Sequence, residues 1–110
     1  SLYTRIANEI LHAAVSLIGE EEALKRLTSP ADDGLDKLVT IEGGQIRSVQ
    51  SNPQGVAEIM LSRLTKGESP ENIDLIGSAV VKIYYNHHIP PPSLKWKTDD
   101  TEQEGILIAD

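Results

Sequence analysis

Residues 69–96 read SPENIDLIGSAVVKIYYNHHIPPPSLKW, and this stretch decides the fold because it contains the clearest helical pattern in the chain. Ser69 can cap a helix N-terminus, and Pro70 suits the first helical position, where its missing amide hydrogen has no partner to lose. Apolar residues then recur every three or four positions as far as Ile83, which predicts an amphipathic helix. We expect Pro90 to end it, because a residue before proline avoids the helical conformation.

The triple proline that follows predicts an extended polyproline II segment. After it, Leu94 and Trp96 alternate with Lys95, as in an edge strand. Two interpretations of this segment are open. It can strap the preceding helix to its own core, or it can dock into an aromatic-lined groove of a partner, since a preformed polyproline helix loses little entropy on binding.

Helical spacing upstream predicts a helix over residues 2–18, a short second helix opened by Glu20, and a helix over residues 53–66. Helical spacing also follows Pro30, but Gly34 interrupts it. A cap residue followed by proline predicts helix starts at three junctions, which are Ser29-Pro30, Asn52-Pro53 and Ser69-Pro70.

Residues 39–49 alternate around the pair Gly43-Gly44, which predicts a β-hairpin with a two-residue turn. A plain loop is the competing interpretation. Because an isolated two-stranded hairpin is marginal in water, this one must pack on the helices or pair with another strand.

The C-terminal sequence changes character after residue 97. Residues 98–104 carry four carboxylates and no basic residue, which favours a solvated linker. The apolar triplet at residues 106–108 can add a strand to this domain's own hairpin, to a second copy or to a partner's sheet. We therefore predict one mainly α domain over residues 1–97, a small bundle of four or five short helices with a minor β-hairpin. An acidic linker and an extended apolar C-terminal arm follow over residues 98–110.

Composition narrows the classes of function. The chain has 110 residues, a formal net charge of −7 and no cysteine. An acidic chain is a poor ligand for nucleic-acid phosphates or anionic membranes, although an acidic inhibitor that mimics nucleic acid stays an alternative. Without cysteine there are no disulfides, thiol nucleophiles or thiolate metal sites. We see no signal peptide or membrane-spanning run, so a cytoplasmic location is expected.

The adjacent histidines are the strongest chemical candidates, but neighbours on a helix point about 100° apart. We expect His87 to be a partly buried structural residue, because it continues the apolar stripe, and His88 to be exposed. His12 lies on the polar face near Glu9. A small enzyme or a metal or ligand site using His87 or His88 with a carboxylate is the alternative, yet metal sites usually need three or more ligands. No catalytic residue, metal site or cofactor is predicted.

The function predicted from sequence is a non-enzymatic protein-interaction module, such as a small regulator, adaptor or assembly factor. We expect it to bind a protein partner or to self-associate as a homodimer, and not to bind nucleic acid or a membrane. The predicted partner-binding residues are Tyr84, Tyr85, His88, Pro91, Leu94, Trp96, Ile106, Leu107 and Ile108.

Overall fold

Helices dominate the protein, whose computed structural model describes residues 1–50, 52–92, 94–98 and 101–105, the last two ranges as backbone. The predicted fold class, a mainly α bundle with a minor hairpin, is confirmed. In chain order the elements are α1 (Leu2–Ile18), α2 (Glu20–Thr28), α3 (Leu35–Leu38), β1 (Val39–Glu42), β2 (Gln45–Val49), α4 (Pro53–Thr65), α5 (Pro70–Asn86), β3 (Leu94–Thr98) and β4 (Thr101–Gly105).

Helix α1 is the centre of the bundle, because it packs against α2, α4, α5 and β2. Its buried residues follow helical spacing and are all aliphatic: Ile6, Ala7, Ile10, Leu11 and Ala14. Leu2 and Leu17 extend the same apolar line towards the two ends of the helix, where both are substantially exposed. Packing therefore covers the middle of this apolar line and leaves both of its ends exposed.

Two of the three predicted cap-plus-proline junctions begin helices. The side chain of Asn52 accepts a hydrogen bond from Gly55 N–H, and that of Ser69 accepts one from Asn72 N–H. The third prediction is wrong, because Ser29 lies at the C-terminal end of α2 and donates its own N–H to Lys25 O.

The segment after Pro30 turns instead of starting a helix. Gly34 adopts a left-handed conformation with φ of 78°, and α3 begins only at Leu35. A carboxylate oxygen of Asp33 accepts the N–H of Leu35, so the side chain closes a local turn ahead of the helix. Local side-chain bonding thus competes with the helix that the spacing predicted.

The β1–β2 hairpin is confirmed, with Glu42 opposite Gln45 across a two-residue turn. Gly43 and Gly44 both have positive φ, which matches the twist of the strands and is easy only for glycine. Helix α1 covers the outer edge of β2, because Asn8 Nδ2 donates to Ile46 O at 2.8 Å and Ile46 N–H donates to Asn8 Oδ1 at 2.9 Å. The amide side chain of Asn8 thereby satisfies the N–H and C=O groups of Ile46, which would otherwise need a third strand as partner.

Two arginines exchange caps between the C-terminal ends of α2 and α4, and we call this pair the reciprocal arginine caps. Arg26 of α2 donates Nη1–H to Leu64 O at 2.8 Å. Arg63 of α4 donates Nη1–H to Leu27 O at 2.9 Å and to Ser29 O at 2.8 Å. The last carbonyls of a helix lack partners within it and carry partial negative charge, so each cation stabilises the other helix.

Carboxylates hold both arginines in place. Arg63 forms a two-pronged pair with Asp33 at 2.7 and 2.8 Å, and only 9% of the arginine side chain is exposed. The hydrogen bond from Arg63 lowers the pKa of Asp33 to about 2. Arg26 pairs with Glu68 at 2.7 Å, and Asn72 of α5 donates to the same carboxylate. The hydrogen bond from Asn72 is the larger cause that lowers the pKa of the Glu68 carboxylate, and the hydrogen bond from Arg26 also lowers it.

Asp33→Asn tests the ion pair between Asp33 and Arg63. A depressed pKa contributes stability that is fully present above 3.8, the ordinary value for Asp33, and is lost as pH falls through about 2. We expect the variant to be about 1 kcal/mol less stable than the wild type in urea unfolding near neutral pH. This difference should shrink as the pH approaches about 2. Asp32→Asn, at the exposed neighbouring position, is the control. A difference in stability that does not change with pH would contradict a stabilising ion pair between Asp33 and Arg63.

Candidate functional site

The C-terminal end of α5 is closed by a Schellman motif, which reverses the direction of the chain. Ile89 N–H donates to Tyr84 O at 3.2 Å, and His88 N–H donates to Tyr85 O at 3.0 Å. His88 has φ of 59°, a left-handed conformation that this position usually gives to glycine. The helix ends at Asn86, and the left-handed His88, before any proline, terminates it.

His87 joins the end of α5 to the middle of α1. Its Nε2 lies 2.7 Å from Oε1 of Glu9, and 17% of the imidazole is exposed. The expectation of a partly buried structural histidine is confirmed. The role of Glu9 was missed, because the sequence places it on the polar face of α1 and does not say which helix packs alongside. His12 is exposed, as expected.

Tyr84 does not lie at the surface, so it is removed from the predicted set of partner-binding residues. It is 1% exposed and belongs to the main core, so its side chain has no surface to offer a partner. Burial raises the pKa of its hydroxyl to about 12. It borders a small apolar cavity with room for about one water molecule, lined by Tyr3, Ile6, Ala7, Ile10, Val49, Pro53, Val56, Ala57, Met60 and Tyr84. A cavity of this size cannot hold an organic substrate.

Three other predicted residues are at least partly exposed at this helix end or just after it. Tyr85 is 50% exposed, His88 is exposed and Pro91 is half-buried. We call these three residues the α5-end surface. Leu75, an apolar residue nearer the start of α5, is 48% exposed. Pro92, the next residue after Pro91, is buried.

Leu94 and Trp96 fall on strand β3, which confirms an extended conformation there. The backbone register places Leu94 opposite Gly105 and Trp96 opposite Gln103. Strand β4 occupies part of the predicted acidic linker, so the division of the chain near residue 98 stays a prediction. The remaining predicted residues, Ile106, Leu107 and Ile108, lie outside the described residues.

The described part of the chain has no group of three or more His, Asp or Glu side chains able to hold a metal ion. None of its helices combines the length and the apolar character needed to cross a membrane. Comparisons with protein-family models, curated proteins and solved structures found no match. The α5-end surface stays the predicted site, because its three residues are the described members of the predicted set that are at least partly exposed.

His87→Ala tests the connection between α5 and α1. The variant loses the bond to Glu9 and leaves a half-buried carboxylate without its partner, so we expect a loss of about 1–3 kcal/mol in the free energy of unfolding. Thermal and urea unfolding followed by circular dichroism measure it. His12→Ala, on the exposed face of the same bundle, should change stability by less than about 0.5 kcal/mol. Equal effects of the two substitutions would contradict a specific role for His87.

His88→Gly tests whether the left-handed residue is strained. Glycine adopts this conformation without the steric clash of a Cβ, so we expect a gain of about 1 kcal/mol in the free energy of unfolding. His88→Ala keeps the Cβ and should give less than about half of that gain. If alanine stabilises as much as glycine, backbone strain is not the cause.

Proposed function

We propose that the chain is a non-enzymatic protein-interaction module that self-associates as a homodimer through the α5-end surface. The observation that carries the proposal is a half-exposed tyrosine, Tyr85, on a helix end whose position is fixed from both sides. Tyrosine is enriched at the energetic centres of interfaces, because its ring buries much area and loses little rotational freedom.

Rigidity is the first argument. The hydrogen bond between His87 and Glu9 holds the helix end against α1, and the Schellman motif fixes the backbone on either side of His88. Pro90 and Pro91 restrict the chain that follows. A surface already in its bound shape loses less conformational entropy on association, so more of its contact energy appears as affinity.

Charge is the second argument. The chain has a formal net charge of −7, so two copies repel each other at long range. The three residues of the α5-end surface carry no carboxylate, so the same three residues of a second copy can approach them without repulsion between those side chains. Interface cores are depleted in charged residues, and a two-fold dimer brings one patch against itself.

The broader role follows from this chemistry. A small module that presents one rigid patch is suited to act as a regulator, adaptor or assembly factor, in which the second copy or another protein occupies that patch. We propose the cytoplasm as its compartment, because the chain has no cysteine and its bundle is closed by aliphatic packing and ion pairs in place of disulfides.

Tyr85→Glu tests the proposal, with Leu75→Glu as the matched control. Both residues lie on α5 and are similarly exposed, but Leu75 lies near the other end of the helix. Sedimentation velocity over a range of concentrations measures the dimer dissociation constant. We expect Tyr85→Glu to weaken association by about 30-fold or more, as for loss of an interface anchor of about 2 kcal/mol. Leu75→Glu should leave association unchanged.

Two results would overturn the proposed function. One is a wild-type protein that sediments as a monomer at every concentration. The other is equal weakening by both glutamate substitutions, which would assign the effect to added charge and not to the α5-end surface. Circular dichroism of each variant establishes that the helices are retained.

A further inference from the structure

The two edges of the β1–β2 hairpin differ in how their backbone groups are paired. On β2, the N–H and C=O of Ile46 both bond to the side chain of Asn8, so they point away from β1. Ile41 lies directly opposite Ile46 in the register. Opposite residues of an antiparallel pair either bond to each other or both point outwards. The N–H and C=O of Ile41 therefore point outwards too, on the side of β1 away from β2.

Val39 has the same orientation two positions earlier, because backbone groups alternate in direction along a strand. Its N–H donates to Leu35 O at the start of α3, which agrees with a direction away from β2. The extra residue of the bulge, Arg47, lies on β2, so the alternation along β1 is unbroken. We call the C=O of Val39 and the N–H and C=O of Ile41 the β1 edge.

The β1 edge has no hydrogen-bond partner within residues 1–50 and 52–92. The sheet that contains β1 has two strands, and the β3–β4 hairpin forms a separate sheet. Thr40 and Glu42 are exposed and Ile41 is half-buried, so the edge is accessible from solvent. Unpaired N–H and C=O groups along a strand are a template on which another extended chain can add a strand.

The side chains of β1 divide between two faces and so select what can be added. Val39 belongs to the main core and Ile41 packs against it, whereas Thr40 and Glu42 are exposed on the opposite face. An added strand places one side chain beside each of these, on the same face. The chain that fits therefore alternates, with an apolar residue beside Ile41 and a polar one beside Glu42.

Carboxylates at the turn end of β1 select the charge of the added strand. Glu42 is exposed, and Oε2 of Glu20 lies beside Gly44 in the turn. Arg47 approaches Glu42 only to 4.0 Å, and more than half of each side chain is exposed, so solvent screens this pair. With a formal net charge of −7, the chain attracts cations at long range as well. Basic residues are therefore the polar residues that this edge favours.

We propose that the β1 edge binds an extended cationic segment of another protein, which alternates apolar and basic residues and adds an antiparallel third strand to the hairpin. One apolar residue of that segment exchanges two N–H···O=C bonds with Ile41, and a neighbouring basic residue lies beside Glu42. The β1 edge shares no residue with the α5-end surface, so this inference does not depend on the proposed homodimer.

Titration of the isotopically labelled wild-type protein with a synthetic peptide tests the inference. The probe is a short peptide with blocked ends that alternates lysine and valine. We expect its binding to shift the amide resonances of Thr40, Ile41 and Glu42 most. Hydrogen exchange of the Ile41 amide should slow several-fold in the complex, because its N–H gains an acceptor.

N-methylated peptides supply a matched control that leaves the protein unchanged. Opposite residues share a face, so a valine lies opposite Ile41 and turns its own N–H towards β1. N-methylation of the valines removes these donors and should weaken binding by about tenfold or more. N-methylation of the lysines alters the far edge of the added strand and should change the dissociation constant by less than about threefold.

Glu42→Lys tests the preference for a cationic partner. We expect the substitution to weaken binding of the lysine–valine peptide by about two- to fivefold, because an opposite-charge neighbour becomes a like-charge one. Circular dichroism establishes that the variant keeps its helices. A peptide that alternates glutamate and valine should bind the wild type several-fold more weakly than the lysine–valine peptide. Equal binding of the two peptides would overturn the cationic partner.

Each remaining outcome also decides the inference. Absence of binding, shifts centred away from residues 39–42, or a loss on methylating the lysines as large as that on methylating the valines would each overturn it. Slow exchange of the Ile41 amide in the free protein would show that the edge is already paired. Shifts at Ile41 that grow with protein concentration in the absence of peptide would assign the edge to a second copy. Either result contradicts a peptide-binding edge.

Discussion

The reciprocal arginine caps are the interaction on which the arrangement of the helices depends. Arg26 and Arg63 each cross from one helix to the terminal carbonyls of the other, so α2 and α4 are joined where each has unsatisfied acceptors and partial negative charge. Both guanidinium groups are largely buried, which makes their loss more costly than that of a surface ion pair. Aliphatic packing brings the helices together, and these directional bonds fix their ends.

The same network determines where α5 begins. Glu68 lies in the link between α4 and α5, accepts from Arg26 and accepts from Asn72 in the first turn of α5. From that fixed start, α5 runs alongside α1 until His87 meets Glu9. The α5-end surface is therefore positioned by side-chain bonds at both ends of one helix, and the backbone bond from His88 N–H to Tyr85 O adds to them. This explains how a small aliphatic bundle can present a rigid patch.

Sequence periodicity predicted the main elements because the forces that form them are local. The caps at Asn52 and Ser69, the Gly43-Gly44 turn and the apolar spacing of α1, α4 and α5 each depend on residues within a few positions of one another. The wrong prediction of a helix start at Ser29-Pro30 also has a local cause, because the turn closed by Asp33 forms in place of the weakly predicted helix.

Contacts between distant parts of the chain could not be predicted in this way. Nothing near Arg63 or Glu9 in sequence identifies Leu27 or His87 as a partner, because each pair is separated by dozens of residues. For the same reason Tyr84 was predicted to bind a partner although it lies in the core, whereas His88 is exposed as expected.

We propose that two copies of this chain meet at the α5-end surface. Amide resonances of the isotopically labelled wild-type protein, followed over a range of concentrations, test it most directly. We expect concentration-dependent shifts that are largest at Tyr85 and His88 and small near Leu75. Shifts that do not depend on concentration, or that centre on another part of the bundle, would contradict it.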